Sequence, residues 1–348
     1  MTHNSCEPAR DVPALAPARP HQGNDTAPPG GRAHGKVILL GEHAVVYGAP
    51  AIALPVLSAQ CRVLAVPAEG SGRGLVSFRA CQYTTSPPAS ATKAPDIEPP
   101  QAFRDMVDAA LGAAPTHQVR GVDLYVESNI PPGRGLGSSA ACARAVAEAL
   151  DQLLHLHLSP SAVHQLVQLA ETVAHGRASG IDAHATGSPY PLLFRDGLTS
   201  TPTVARRAWV VVADSGTSSS TRRAVEMLGD VFARDPSRRR AFIERSRILT
   251  EEALDGLATG DLPGVGMLLT DAHCRLSTLG LVTEQVNALV KEAQAAGALG
   301  AKMTGGGLGG CAIALCDSAA GAEAVAARLR AHSAACTWIV PLTQEGTS

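Results

Sequence analysis

The sequence predicts two domains of mixed helix and strand, and three observations carry that expectation. Its 348 residues are too many for one compact core and comfortable for two domains of ordinary size. Short alternating or apolar stretches of strand type recur between longer helical ones along the chain. The pattern resets around residues 195–208, which puts a boundary near residue 200.

Residues 1–32 are rich in Pro, Ala, Gly and polar side chains with no apolar period, which predicts a disordered tail. They lack the continuous apolar stretch of a secretory signal, and Glu7, Asp11 and Asp25 argue against a transit peptide. The first domain, residues 33–200, opens with a strand over Lys36–Leu40, a loop at Gly41, Glu42 and His43, and a second apolar stretch through Leu57. Tyr83 to Pro100, rich in Pro and Thr, reads as a long surface loop. Val122, Leu124 and Val126 alternate with Asp123, Tyr125 and Glu127, the period of a strand. A glycine loop follows, then an Ala-rich helix from Ser138 or Ser139 to about His155. A further helix over about Ser161–Ala174 has Gly176 as its C-cap. His155 and His157, two apart on a helix, would not face each other and are rejected as a metal pair.

The second domain, residues 201–348, holds a short buried-type strand at Trp209–Ala213 followed by polar Ser215–Thr221. Two or three helices run from Arg222 to Ala296. Strands at Ala301–Thr304 and Cys311–Cys316 flank another glycine loop, and a helix and a strand close the chain.

Bulk properties exclude several classes of function. With 31 acidic against 29 basic residues and a formal net charge of −2, nothing electrostatic points to nucleic acid or an anionic membrane. The best apolar run, Val37–Leu57, is broken by Glu42, His43 and glycine or proline, and a membrane helix needs about 20 uninterrupted apolar residues. The eight cysteines are loosely spaced with no C-x-x-C pair, which reads as reduced, mostly buried thiols in the cytoplasm. Only Lys36, Lys93, Lys291 and Lys302 are lysines. A chain that otherwise uses arginine keeps lysine where a compact ammonium matters, which singles out Lys36 and Lys302.

The chemistry centres on Pro131-Pro132-Gly133-Arg134-Gly135-Leu136-Gly137-Ser138-Ser139-Ala140-Ala141, between a strand and a helix. Three glycines at alternate positions let backbone amides turn toward one anion, and the helix N-terminus adds unpaired N–H groups. Paired serines can cap that helix, and one hydroxyl can reach a phosphate-bound metal. An ordinary strand-to-helix turn with a serine cap is the plainer alternative. The string is neither the Walker nor the Rossmann pattern.

That string resembles the second motif of the GHMP kinase superfamily, and two companions occur in the expected order. Lys36 through Gly48, with Gly41-Glu42-His43-Ala44-Val45-Val46-Tyr47-Gly48, is similar to the first motif in the form used by its mevalonate kinase family. Lys302-Met303-Thr304-Gly305-Gly306-Gly307-Leu308-Gly309-Gly310-Cys311 resembles the third. The resemblance implies an α+β fold of two α/β-sandwich domains with the active site in the cleft between them. It also implies transfer of the ATP γ-phosphoryl group to mevalonate with Mg2+, and leaves a homodimer as one compatible assembly.

Position by position, the resemblance makes Asp182 the catalytic base and Lys36 the lysine that stabilises it. Residues Pro132, Gly133, Arg134, Gly135, Leu136, Gly137, Ser138, Ser139 and Ala140 correspond to the nucleotide loop. Glu171, eleven residues before Asp182, corresponds to the magnesium carboxylate, with Ser138 or Ser139 as the second protein ligand. Lys36, Glu42, His43, Asp182, Gly305 and Gly306 would line the substrate. Each has a bland alternative: Glu171 on a solvated helix face, Asp182 as a helix cap, Lys36 on an edge strand. Ala178 and Ala183 replace the family's usual proline and asparagine around Asp182, and Gly306 and Leu308 depart from the usual third motif.

Overall fold

The computed structural model describes residues 29–68, 75–80, 96–97, 100–114, 119, 121–175 and 179–343. Most of the expected tail, most of the Tyr83–Pro100 loop, and Gly176, Ala178, Cys6 and Cys81 lie outside these residues. The described chain starts earlier than expected, because strand β1 already runs over Gly30–Leu40. The described residues resolve into two compact units that interleave in sequence: those within 1–33, 60–129 and 139–174 in one, and those within 34–59, 130–138 and 175–348 in the other.

The first unit is built on the later part of β2 (Ala51–Pro67). That part pairs antiparallel with β5 (Gly121–Ser128), Cys61 opposite Ser128 and Pro67 opposite Val122. Strand β3 (Leu75–Ala80) runs parallel to β5 and carries β4 (Asp96–Ile97) on its other edge. The alternation seen in the sequence puts Val122 and Leu124 in the core. Helix α1 (Gln101–Ala113), which sequence patterning did not resolve, buries Phe103, Met106, Val107 and Ala110 at helical spacing. Helix α2 (Ser138–Leu154) buries a row of alanines, and small side chains let backbones approach closely. A Cβ at Gly31 of β1 would lie 1.9 Å from the Ala145 carbonyl oxygen. The helix ends at Leu154, so His155 and His157 are not helical; both are left-handed, at φ 52°. Helix α3 (Pro160–His175) completes the unit.

In the second unit the start of β2 pairs antiparallel with β6 (Leu192–Arg195), which turns into β7 (Leu198–Ser200). Short helix α4 (Ile181–Ala185) buries Ile181 and Ala185 against Ile38, Ala51, Ala53, Leu192 and Phe194. A second sheet is antiparallel throughout, in the order β11 (Cys336–Leu342), β8 (Ala208–Asp214), β10 (Cys311–Cys316), β9 (Gly300–Thr304). All of β10 is buried, as its unbroken apolar run requires. Between β8 and β9 lie four helices where two or three were expected: α5 (Thr221–Arg234), α6 (Pro236–Thr259), α7 (Leu262–Thr278) and α8 (Glu284–Ala295). Side-chain caps at Ser220, Asp235, Asp261 and Thr283 start each one. Helix α9 (Ala319–Ala331) precedes β11.

Among the described residues, no helix is long and apolar enough to cross a membrane. Among the described residues, Cys61, Cys142, Cys274, Cys311 and Cys316 are free thiols, of which 61, 311 and 316 are buried and 274 is exposed.

Candidate active site

Two of the residues singled out from sequence meet directly. Lys36 projects from the buried part of β1, and its Nζ lies 2.8 Å from Asp182 Oδ1. The lysine side chain is 4% exposed and the aspartate 32%, so the pair has a sealed cationic end and an open carboxylate end. Strand β1 pairs with β2, and on it Lys36 is a buried, ion-paired lysine and not a solvent-facing one. The capping reading of Asp182 is removed, since the N-cap of α4 is Gly180 and Asp182 sits in the first turn. The buried Ile181 and Ala185 anchor α4 and thereby fix where Asp182 stands.

The first glycine loop lies against this pair. Gly133, Gly135 and Gly137 have φ of 67°, 77° and 70°, the alternate left-handed residues that curl successive N–H groups to one side. At Gly137 the need for glycine is also steric. A Cβ there would sit 3.0 Å from Lys36 Cε and 3.3 Å from Thr186 Cγ2. The Lys36 N–H donates to the Leu136 carbonyl at 2.9 Å, which ties the loop to β1. Leu136 is buried, Pro132 and Gly133 are exposed, and Ser138 opens helix α2.

The third motif approaches the second backbone to backbone: a Cβ at Gly305 would lie 2.9 Å from the Gly135 Cα. Gly306 faces Thr221, where an added Cβ would meet Oγ1 at 2.3 Å. Thr304, just before this loop, joins β9 to β1 through its hydroxyl, accepting from the Ile38 N–H at 2.9 Å and donating to the Ile38 carbonyl at 2.8 Å. Leu308, the departure noted in the sequence, takes a left-handed backbone at φ 58° and packs against the core of the second unit.

Glu42 and His43 occupy the turn between β1 and a single 3-10 turn at Ala44–Tyr47, and both are buried. Glu42 is joined to Lys302, whose Nζ also donates to the Met303 carbonyl at 2.7 Å. Burial pushes the Glu42 carboxyl up against the attraction of Lys302, and pushes the Lys302 ammonium down. His43 is left-handed at φ 60°, and burial followed by the charge on Lys302 lowers it to about 4. A neutral imidazole results, and its buried Nε2 has no hydrogen-bond partner. An orphaned polar atom of this kind is costly and suits a ligand group.

Glu171 belongs to the first unit, on α3, and is 5% exposed, which removes the solvated-face reading. Ser139 and Ala140 also lie in that unit, while Ser138 lies in the second. Among the described residues, no group of three or more His, Cys, Asp or Glu side chains is placed to hold a metal on its own. A donor set of one carboxylate and one hydroxyl fits magnesium, which keeps several waters and shares phosphate oxygens. Sequence reasoning left out Lys302 from the site, although lysine scarcity had flagged it, and left out Asp214 and Thr186. Asp214 is the sole charge in β8, and that was the available signal.

The chain shares sequence and fold with known proteins. The chain matches the family model "GHMP kinases N terminal domain" over residues 101–188 and "GHMP kinases C terminal" over 253–335. It is 32% identical over 298 residues to the mevalonate kinase of Aeropyrum pernix, covering 81% of this chain and 87% of that protein. The crystal structure of L. major mevalonate kinase in complex with R-mevalonate superposes with a TM-score of 0.71 at 25% identity, covering 91% and 96% of the two chains. Streptococcus pneumoniae phosphomevalonate kinase, solved with phosphomevalonate and AMPPNP, gives 0.69 at 17% identity over 86% and 95%, a likeness of fold alone.

Proposed function

The chain belongs to the mevalonate kinase family of the GHMP kinases, and from that premise we propose that it phosphorylates the primary hydroxyl of mevalonate, yielding 5-phosphomevalonate for isoprenoid biosynthesis. It is an ATP-dependent kinase acting on an alcohol. The observation that carries the mechanism is the Lys36–Asp182 contact beneath Gly137. Asp182 accepts the hydroxyl proton as the oxygen attacks the γ-phosphorus and the bond from that phosphorus to the β–γ bridging oxygen breaks, releasing ADP. Lys36 holds the carboxylate in place and offsets the negative charge that develops. The 131–137 loop receives the phosphates on its backbone N–H groups, and catalysis rests on positioning and charge stabilisation.

In this reading Glu171 and Ser138 or Ser139 hold Mg2+, supported by the burial of the glutamate. When bound, the metal neutralises phosphate charge. In the same reading His43, whose Nε2 is orphaned, contacts the acceptor together with Glu42, Gly305 and Gly306. A division of the chain near residue 200 belongs to the same reading, supported by family models that end at 188 and begin at 253. A cytoplasmic location is supported by the free thiols of Cys61, Cys142, Cys274, Cys311 and Cys316.

The test is ADP release with Mg2+ and ATP, comparing mevalonate, phosphomevalonate, homoserine and galactose, for the wild type and Asp182→Ala. Mevalonate alone should be turned over, and the variant should lose turnover while still binding nucleotide. Preference for phosphomevalonate would move the chain to a neighbouring GHMP activity. Near-wild-type turnover by Asp182→Ala would remove that residue from the mechanism.

A further inference from the structure

Arg134 stands in the middle of the first glycine loop, where direct contact with a phosphate is the simplest expectation. Its side chain turns elsewhere. Nε lies 3.1 Å from Asp214 Oδ1 and 3.2 Å from Oδ2. Nη1 donates to Ser218 Oγ at 2.8 Å, and Nη2 donates to the Gly216 carbonyl at 2.9 Å. The arginine side chain is 18% exposed and the aspartate 5%.

These acceptors are themselves fixed. Asp214 Oδ1 also accepts from the Gly216 N–H at 2.9 Å, and the Ser219 N–H donates to the Gly133 carbonyl at 2.6 Å. The other glycine loop closes the same ring: Gly310 accepts from the Ser215 N–H at 3.0 Å and donates to the Thr217 carbonyl at 2.9 Å. A Cβ at Gly310 would come within 2.9 Å of the Arg134 carbonyl oxygen. The 214–219 segment therefore lies against both glycine loops, and Arg134 is the side chain that fastens the first loop to it.

We propose that Arg134 is a positioning residue and not a phosphate ligand: its guanidinium, gripped by Asp214, Ser218 and the Gly216 carbonyl, holds the 131–137 loop in its anion-binding curvature. The proposal rests on reading that loop as the ATP phosphate site. Asp214 neutralises the guanidinium, and three of its five N–H donors are committed to the 214–218 segment, which aims the fork away from an incoming phosphate. A loop with three left-handed glycines is otherwise permissive and would lose much conformational entropy on binding nucleotide. Fastening it in advance lowers that cost, which is an affinity effect and not an effect on the chemical step.

The experiment is a double-mutant cycle on Arg134→Ala, Asp214→Asn and the pair. Mg·ATP affinity is read by displacement of a fluorescent nucleotide without acceptor, and kcat and KM are read separately. Each single change should weaken ATP binding about tenfold, and the pair should be no weaker than either. kcat should stay within about twofold, and Arg134→Lys should fail to restore affinity because an ammonium lacks the fork. If Arg134→Ala weakens binding while Asp214→Asn does not, or if the two effects multiply, Arg134 is a phosphate contact and the proposal falls. Should Asp214→Asn not fold, Ser218→Ala decides the same question. Its weakening of about two- to threefold must vanish in the Arg134→Ala background, and persistence there overturns the clamp. A wild type that binds ATP yet phosphorylates none of the four acceptors would sink the functional reading alone, since the displacement needs no acceptor.

Discussion

Lys302, wholly buried on β9, donates its ammonium to the Glu42 carboxylate of the first motif, 260 residues earlier in the chain. The contact ties the turn that carries His43 to the strand that leads into Gly305 and Gly306. Desolvation of two buried charges roughly cancels their attraction, so such a pair adds little net stability. Its weight shows when one partner is taken away.

Lys302→Met should therefore destabilise the protein by about 3–5 kcal/mol, because Glu42 is left buried and unpaired. Combining it with Glu42→Gln should recover much of that loss. Urea unfolding of the two variants checks this. An equal loss in both would mean that packing around the Lys302 stem, and not the ion pair, carries the effect.

His43 gives a pH dependence whose sign is fixed by its environment. Burial and Lys302 hold it at about 4 against an ordinary 6.5, so between these values the unfolded chain takes up a proton that the folded chain refuses. The stability involved is complete above 6.5, is lost as pH falls, and levels off below about 4. It amounts to on the order of 3 kcal/mol. Glu42, pushed up by burial, runs the other way above 4.5: its stabilisation is present at low pH and lost as pH rises through its folded value. Comparing the wild type with His43→Gln leaves that contribution in both proteins. Parallel stability curves for the two across pH 4–6.5 would show that His43 is not the titrating group.

Gly137 and Gly197 separate backbone strain from site geometry. Both are left-handed, at 70° and 77°, but a Cβ at Gly197 has nothing within 4 Å, whereas one at Gly137 meets Lys36. Alanine at either should cost about 1 kcal/mol in stability from the backbone conformation. Only Gly137→Ala should also lower kcat, by about a hundredfold, because the lysine that holds Asp182 must move. Thermal unfolding beside turnover tests both. Similar kcat in the two variants would show that Lys36 tolerates the displacement.

The part of this site that was legible in the sequence is the part encoded locally. Alternate glycines, a strand before them and a helix after them dictate the 131–137 loop without help from the rest of the chain. The strand at Cys311–Cys316 was readable for the same reason, since its apolar run has one use. Partnerships were not readable. Arg134 finds Asp214 at a separation of 80 residues and Lys302 finds Glu42 at 260, and charge spacing does not encode which acceptor a cation will meet. Helix α4, five residues long, is too short for any period, so Asp182 was placed by its motif and not by its element. The helix count fell short where Asp235–Pro236 and Asp261 cap new helices inside one polar stretch.

Glu171 is the carboxylate whose role is most exposed to test, because its burial alone separates two readings. A glutamate on a solvated helix face can become glutamine with little consequence, within about 0.5 kcal/mol. A buried one that serves a divalent ion loses a charged oxygen donor, and metal affinity follows ligand charge. Glu171→Gln should therefore raise the Mg2+ concentration for half-maximal ADP release by about tenfold or more. ATP binding measured without metal should be unaffected. An unchanged magnesium titration would assign Glu171 to the architecture of α3 and leave the serine at the head of α2 as the protein's own metal donor.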